Sequence, residues 1–112
     1  DYTKTAFDIL EDNIFVSNSK IQEPGLIENI AQTAAAGVGY QCVQNNRKVP
    51  VGFIGGVNNI LIHRLPNVGE TIFTTVTVVQ EVFGVTLIKG QIDIGQETIA
   101  TCEMKIVIQN EQ

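Results

Sequence analysis

The stretch from residue 26 to about residue 44 constrains this chain more than any other. Ile27, Ile30, Ala31, Ala34, Ala35, Val38 and Cys42 recur there at the three- and four-residue spacing of one helical face. The remaining faces offer little polarity, since Thr33, Ala36 and Gly37 are small. A helix that is small and apolar nearly all round is enclosed by other structure, and does not simply rest on a surface. Pro24 and Gly25 mark its entry, proline being suited to a first helical turn, and Asn45, Asn46, Arg47, Lys48 and Pro50 end it.

The rest of the chain supplies β-structure to do the enclosing. Residues 3–10 read as a first strand, and residues 11–23 as a polar, turn-rich loop in which Ile14, Phe15 and Val16 provide a short buried segment. After Pro50, residues 51–64 and 71–83 are rich in β-branched side chains. In the next segment Ile88, Gly90, Ile92 and Ile94 fall on one side of a two-residue alternation. In the last, Ala100, Cys102, Met104, Ile106 and Ile108 do so. The expected order is strand, one central helix, then four strands in meander order, several about twice the common 5–6 residues in length. The fold class is therefore α+β, a long antiparallel sheet wrapped around one central helix. Such a pair of layers leaves one sheet face and both sheet edges open, so a homodimer is expected that joins two sheets or pairs two edges.

Composition narrows the function classes. At 112 residues the chain is expected to form a single domain over 1–112, and its first residue, Asp1, suggests a trimmed N-terminus. Seven basic residues against twelve acidic ones give a net charge of −5, and Lys and Arg are scattered, so no nucleic-acid-binding face is expected. No apolar run is long enough to cross a membrane, and no cationic apolar leader opens the chain. Cys42 and Cys102 lack metal or redox spacing and read as buried, reduced thiols of a cytoplasmic protein. A single histidine with scattered carboxylates gives no zinc-site signature.

A few residues stand out of place. Glu28 lies one turn inside the apolar helix, with Gln32 four residues later on the same face. The free amides of the first turn, around Gly25 and Leu26, could accept an oxyanion or a polarised carbonyl. Glu28 also reads as a solvated first-turn carboxylate that stabilises the helix dipole. The segment from Gly52 to Asn59 carries Gly55 and Gly56 inside a strand, which marks either a bulge, a close approach to a ligand, or room for the helix. Asn58 and Asn59 would need partners if buried. His63, at that strand's end beside Arg64, could serve as a base or be an inert surface histidine.

These residues, in this order, resemble the hot-dog fold superfamily and, within it, the 3-hydroxyacyl-(acyl-carrier-protein) dehydratases, most closely those of aryl-polyene and flexirubin-type pigment clusters. The resemblance runs from Asp12 to Ile108. It is carried by the helix motif from Pro24 to Thr33, the glycine-bearing strand from Phe53 to Asn59, and the turn from Leu65 to Glu70 with Gly69 thirteen residues past Gly56. It implies a hot-dog fold and a dehydratase acting on a 3-hydroxyacyl thioester in fatty-acid or polyene-type biosynthesis. The substrate would be carried on the phosphopantetheine of an acyl carrier protein or CoA, with no cofactor of the protein's own. In that family a helix carboxylate, matched by Glu28, works with a histidine on the preceding loop. One removes the proton α to the thioester carbonyl and the other protonates the departing hydroxyl. The loop of this chain holds no histidine, and His63 does not match that position.

The expected catalytic set is therefore Glu28, Gln32 and His63, and the expected substrate-binding set is Gly25, Leu26, Gly55, Gly56 and Asn58. Two alternatives stay open: a thioesterase on acyl-CoA or an acyl carrier protein, in which Glu28 activates water, and a non-catalytic partner subunit. The latter would be half of a heterodimer whose mate carries the missing histidine. Lys20, Arg47, Lys48 and Arg64 are candidates for a basic rim that would meet an acidic acyl carrier protein.

Overall fold

A computed structural model describes residues 2–46 and 51–109. The elements run β1 (Tyr2–Asp8), β2 (Val16–Ser17), β3 (Lys20–Ile21), α1 (Glu23–Gln44), β4 (Val51–Ile62), β5 (Thr71–Val82), β6 (Val85–Ile94) and β7 (Glu97–Gln109). One 22-residue helix packs on a five-stranded antiparallel sheet, the α+β architecture expected. The long strands are borne out: β4 to β7 span 10 to 13 residues each.

The strand order corrects the expected meander. The sheet reads β1-β5-β6-β7-β4, so only β5 to β7 are consecutive neighbours. β4 pairs with β7 at the far edge, although β5 follows it in sequence. Residues 63–70 make the crossing. Eight residues reach roughly 26 Å when extended, and three strand spacings need only about 15 Å. The loop expected over residues 11–23 also holds a tight hairpin in which Val16 opposes Ile21 and Ser17 opposes Lys20. Asn18 and Ser19, both at positive φ, turn it. Phe15 and Val16 pack against the core, whereas Ile14 is exposed.

The alternating segments behave as their pattern predicts. Ile88 and Ile92 of β6 and Ala100, Cys102 and Met104 of β7 are buried against α1, joined by Ile72 and Val76 of β5. Gly90, at the middle of that face, lets the helix approach: a Cβ there would lie 2.6 Å from Cγ2 of Ile30. Gly25 does the same at the helix start, where a Cβ would lie 2.6 Å from Cβ of Phe15.

The helix ends at Gln44 as expected, with Asn45 and Asn46 past it; Arg47, Lys48 and Pro50 lie outside the described residues. Its buried face differs from the expected one. Gly25, Leu26, Asn29, Ile30, Thr33, Ala34 and Cys42 are buried, whereas Ile27, Ala31 and Val38 are half-buried and Ala35 is exposed. At 100° per residue, the buried face is rotated by roughly 100° from the stripe the spacing picks out. The helix thus has two apolar faces. The sheet covers one and leaves the other half open, so enclosure on all sides is not achieved within one chain.

Candidate functional site

Glu28 is half-buried on α1, at the border of the half-open apolar stripe of Ile27, Ala31 and Val38. Gln32, one turn on, donates from its side-chain amide to Oε1 of Glu28 at 3.1 Å. The i, i+4 spacing produces this contact directly, because four residues advance a helix by little more than one turn. The bond restrains the carboxylate, and Oε2 has no hydrogen-bond partner among the described residues. A carboxylate held this way can take or give a proton.

The rest of that helix turn is locked from below. Asn29 and Thr33 are buried polar residues in an otherwise apolar interface. Thr74 of β5 donates its hydroxyl to Oδ1 of Asn29 at 2.5 Å, Thr33 donates to the Asn29 carbonyl at 2.9 Å, and the Thr5 and Thr33 hydroxyls share a 2.7 Å hydrogen bond. These residues were missed as a group by the sequence reading, although an asparagine on the buried side of so apolar a helix is itself a signal.

The first-turn amides differ from expectation. Those of Gly25 and Leu26 both donate to the Gln22 carbonyl, at 2.9 and 3.4 Å. Neither is therefore a free donor for an oxyanion. The side-chain amide of Gln22 donates in turn to the carbonyls of Ser17 and Lys20, which ties the helix start to the β2–β3 hairpin.

On β4 the glycines mark a bulge. The register with β7 slips between Ile54 and Gly56, leaving Gly55 as the extra residue, and again between Asn58 and Leu61. They make no room for the helix: a Cβ on Gly55 would meet Val107 at 3.0 Å, and one on Gly56 would meet nothing within 4 Å. Asn58 is exposed opposite Glu103, on the sheet face away from α1. Asn59, at φ 54°, donates to Glu103 at 2.6 Å. His63 is exposed, its backbone amide bonded to the Ile99 carbonyl at 2.8 Å. Among the described residues no hydrogen bond joins Asn58 or His63 to Glu28 or Gln32. One chain thus joins Glu28 and Gln32 of the expected set by a hydrogen bond, and among the described residues none links that pair to His63 or Asn58.

The turn from Leu65 to Glu70 is a structural hub beside the helix start. Pro66, Val68, Gly69 and Glu70 exchange backbone hydrogen bonds with Ile21, Ser19 and Ile9. Gly69, at φ 95°, supplies the left-handed conformation the turn needs. Arg64 forms a fork with both carboxylate oxygens of Glu70 at 2.9 and 3.0 Å, and reaches Glu97 at 3.4 Å. The guanidinium, seconded by the Asn67 amide, lowers the Glu70 carboxyl to about 2. Arg64 is therefore neutralised within its own chain, which removes it from the expected basic rim. Lys20 is exposed, and Arg47 and Lys48 lie outside the described residues. A shallow depression of about 140 Å³, lined by Thr75, Thr77, Lys89 and Gln91 among others, lies on the sheet face away from the helix and has no part in this constellation.

Cys42 and Cys102 are both buried free thiols, and burial pushes the Cys102 thiol up. No helix among the described residues is long and apolar enough to cross a membrane, and they hold no cluster of side chains able to bind a metal.

The family model for ApeP-like proteins, described as ApeP dehydratase, matches residues 1–112. The chain belongs to the ApeP-like family. No curated protein sequence matches this ApeP-like chain. Among solved structures it is similar to the dehydratase heterocomplex ApeI:P from Xenorhabdus doucetiae, with a TM-score of 0.89, 12% identity, and coverage of 98% of this chain and 76% of that one. It is also similar to a hot-dog-like protein from Thermanaerovibrio acidaminovorans (TM-score 0.79, 14% identity, 98% and 82% covered). A probable thioesterase from Bartonella henselae follows (TM-score 0.76, 8% identity, 98% and 91% covered). At such identities these likenesses show the fold, and the fold is the hot-dog fold.

Proposed function

We propose that this chain is one half of a 3-hydroxyacyl-thioester dehydratase, completed by a second hot-dog chain. In the reaction, the C2 proton leaves to a base, the C3 hydroxyl departs as water when an acid protonates it, and a C2–C3 double bond forms. Glu28 performs one of the two proton transfers, with Gln32 holding its carboxylate. The second chain contributes the histidine that the loop before α1 lacks. The observation that carries this reading is the Glu28–Gln32 pair at the border of an apolar helix face that its own sheet leaves half open.

The edge strand β4 supports a second chain. Its twelve residues contain neither charge nor proline, the usual guards of an exposed edge. Phe53 and Ile54 at one end and Ile60 and Leu61 at the other are all at least 39% exposed, and Val57 lies midway between the two pairs. An antiparallel strand centred on Val57 would set apolar ends against apolar ends, as a two-fold or pseudo-two-fold interface requires. Gly55, Gly56 and Asn58 would then lie along the seam between the two sheets, against the second chain. The heterocomplex form of the ApeI:P structure is consistent with a mixed pair.

The test is turnover of a 3-hydroxyacyl thioester on phosphopantetheine, read as enoyl-thioester absorbance, for this chain alone and mixed with a second hot-dog chain. Glu28→Gln is expected to lower turnover of the active complex at least about tenfold, a modest loss for general acid–base catalysis. Unchanged turnover would reject the role. His63→Ala is expected to leave turnover intact; its loss would place the base in this chain. A thioesterase reading has one observation in its favour, that Glu28 is half-open to water and has no histidine beside it in its own chain. Release of free thiol from an acyl thioester would establish that activity in place of dehydration.

A further inference from the structure

An almost uniformly apolar helix presents its sheet with a choice. Ile27, Ala31, Ala34, Ala35 and Val38 form one stripe that would pack on a sheet, and Leu26, Ile30, Ala34 and Gly37 form another. The second stripe is the one that faces β5 and β6. Area alone separates the two poorly, since both consist of one or two isoleucine or leucine side chains followed by small residues. The structure contains one feature that does separate them. Only the observed rotation places Asn29 and Thr33 inward, where Thr74, which is fully buried, and Thr5 meet them. In the other rotation Thr74 would face apolar side chains with its hydroxyl unpaired, and a buried hydroxyl without a partner is costly.

We propose that the Asn29–Thr74 hydrogen bond fixes the rotation of α1 on the sheet. It makes Asn29 and Thr74 positioning residues for Glu28. Glu28 is the neighbour of Asn29 in sequence, so the bond that points Asn29 at β5 also sets the direction of the carboxylate and of Gln32 beyond it. A rotation by the roughly 100° between the two stripes would carry Glu28 off the border of the open face. The same bond decides which apolar stripe is left for a second chain. Its catalytic consequence rests on the role of Glu28 proposed above, but the rotation can be read without any activity.

The experiment places a single thiol probe at Thr33, which is 2% exposed, or at Ala36, which is exposed in either rotation. Labelling by a small alkylating reagent is followed by peptide mass spectrometry, which reads each probe apart from Cys42 and Cys102. In the parent chain T33C is expected to react at least about tenfold more slowly than A36C, as a buried site opened only by local fluctuation does. In the T74V and N29L/T74V backgrounds the two rates should come within about threefold, with helix content by circular dichroism retained; T74S, which keeps the hydroxyl, should restore the protection. Protection unchanged in T74V, a near-isosteric exchange, overturns the proposal, and so does failure of T74S to restore what T74V loses. In the dehydratase assay T74V should lower kcat with little change in KM, and T74S should recover it. If labelling responds while E28Q leaves turnover unchanged, the rotation stands and the role of Glu28 falls. If E28Q abolishes turnover while T74V leaves labelling unchanged, the reverse holds.

Discussion

Individual residues show how few side chains decide this structure. Gly90 was legible only as one member of an alternating strand, yet it is where Ile30 of α1 packs directly onto the backbone of β6. Gly90→Ala would set a methyl 2.6 Å from Cγ2 of Ile30 and is expected to destabilise by about 1–3 kcal/mol, measured by urea unfolding. Glu70 gives a pH signature whose sign follows from its fork with Arg64. Its folded pKa is lowered from 4.5 to about 2, so its stabilisation is full above the ordinary carboxylate range and is lost as the pH falls from about 4.5 toward 2. Wild type should therefore exceed Glu70→Gln in urea midpoint at pH 6, with the difference shrinking over that interval. A difference that stays constant down to pH 2 would show that the fork does not hold the carboxylate.

Elements reveal where local rules hold and where packing overrides them. The β5–β6 hairpin turns on Phe83 and Gly84, both at positive φ, at a two-residue connection that favours Asn-Gly. Phe83 is fully exposed and is strained there without packing to compensate. Phe83→Asn is expected to raise stability by about 0.5–1 kcal/mol, seen as a higher Tm. On β4, Asn59 occupies the left-handed region inside a bulge, so Asn59→Val should cost about 1–2 kcal/mol in urea unfolding while Asn59→Gly is tolerated. In the sequence the glycines of β4 left a bulge, a ligand's approach and room for the helix all open, and the register with β7 shows a bulge. The face of α1 was not legible, because with apolar residues on two sides periodicity selects a stripe without saying which partner it meets.

At the scale of the molecule, the exposed apolar edge of β4 and the half-open stripe of α1 predict association. Sedimentation should show this chain as a dimer, or as a complex with a second hot-dog chain, at micromolar concentration. Ile54→Lys combined with Ile60→Lys should abolish it, since each would place a charge at an apolar end of β4. A wild-type chain that sediments as a monomer alone and in the mixture would count against the two-chain reading. By itself the sequence determined the long elements and the inward faces of β6 and β7, because two- and 3.6-residue alternations follow from backbone geometry within a few residues of each other. It also determined the Glu28–Gln32 contact, which needs only one helical turn. Only the tertiary structure decided that β4 sits beside β7, which face of α1 is buried, and that the Gly25 and Leu26 amides and Arg64 are already engaged. Each of those depends on groups far apart in the chain competing for the same partner, and local spacing carries no record of which one wins.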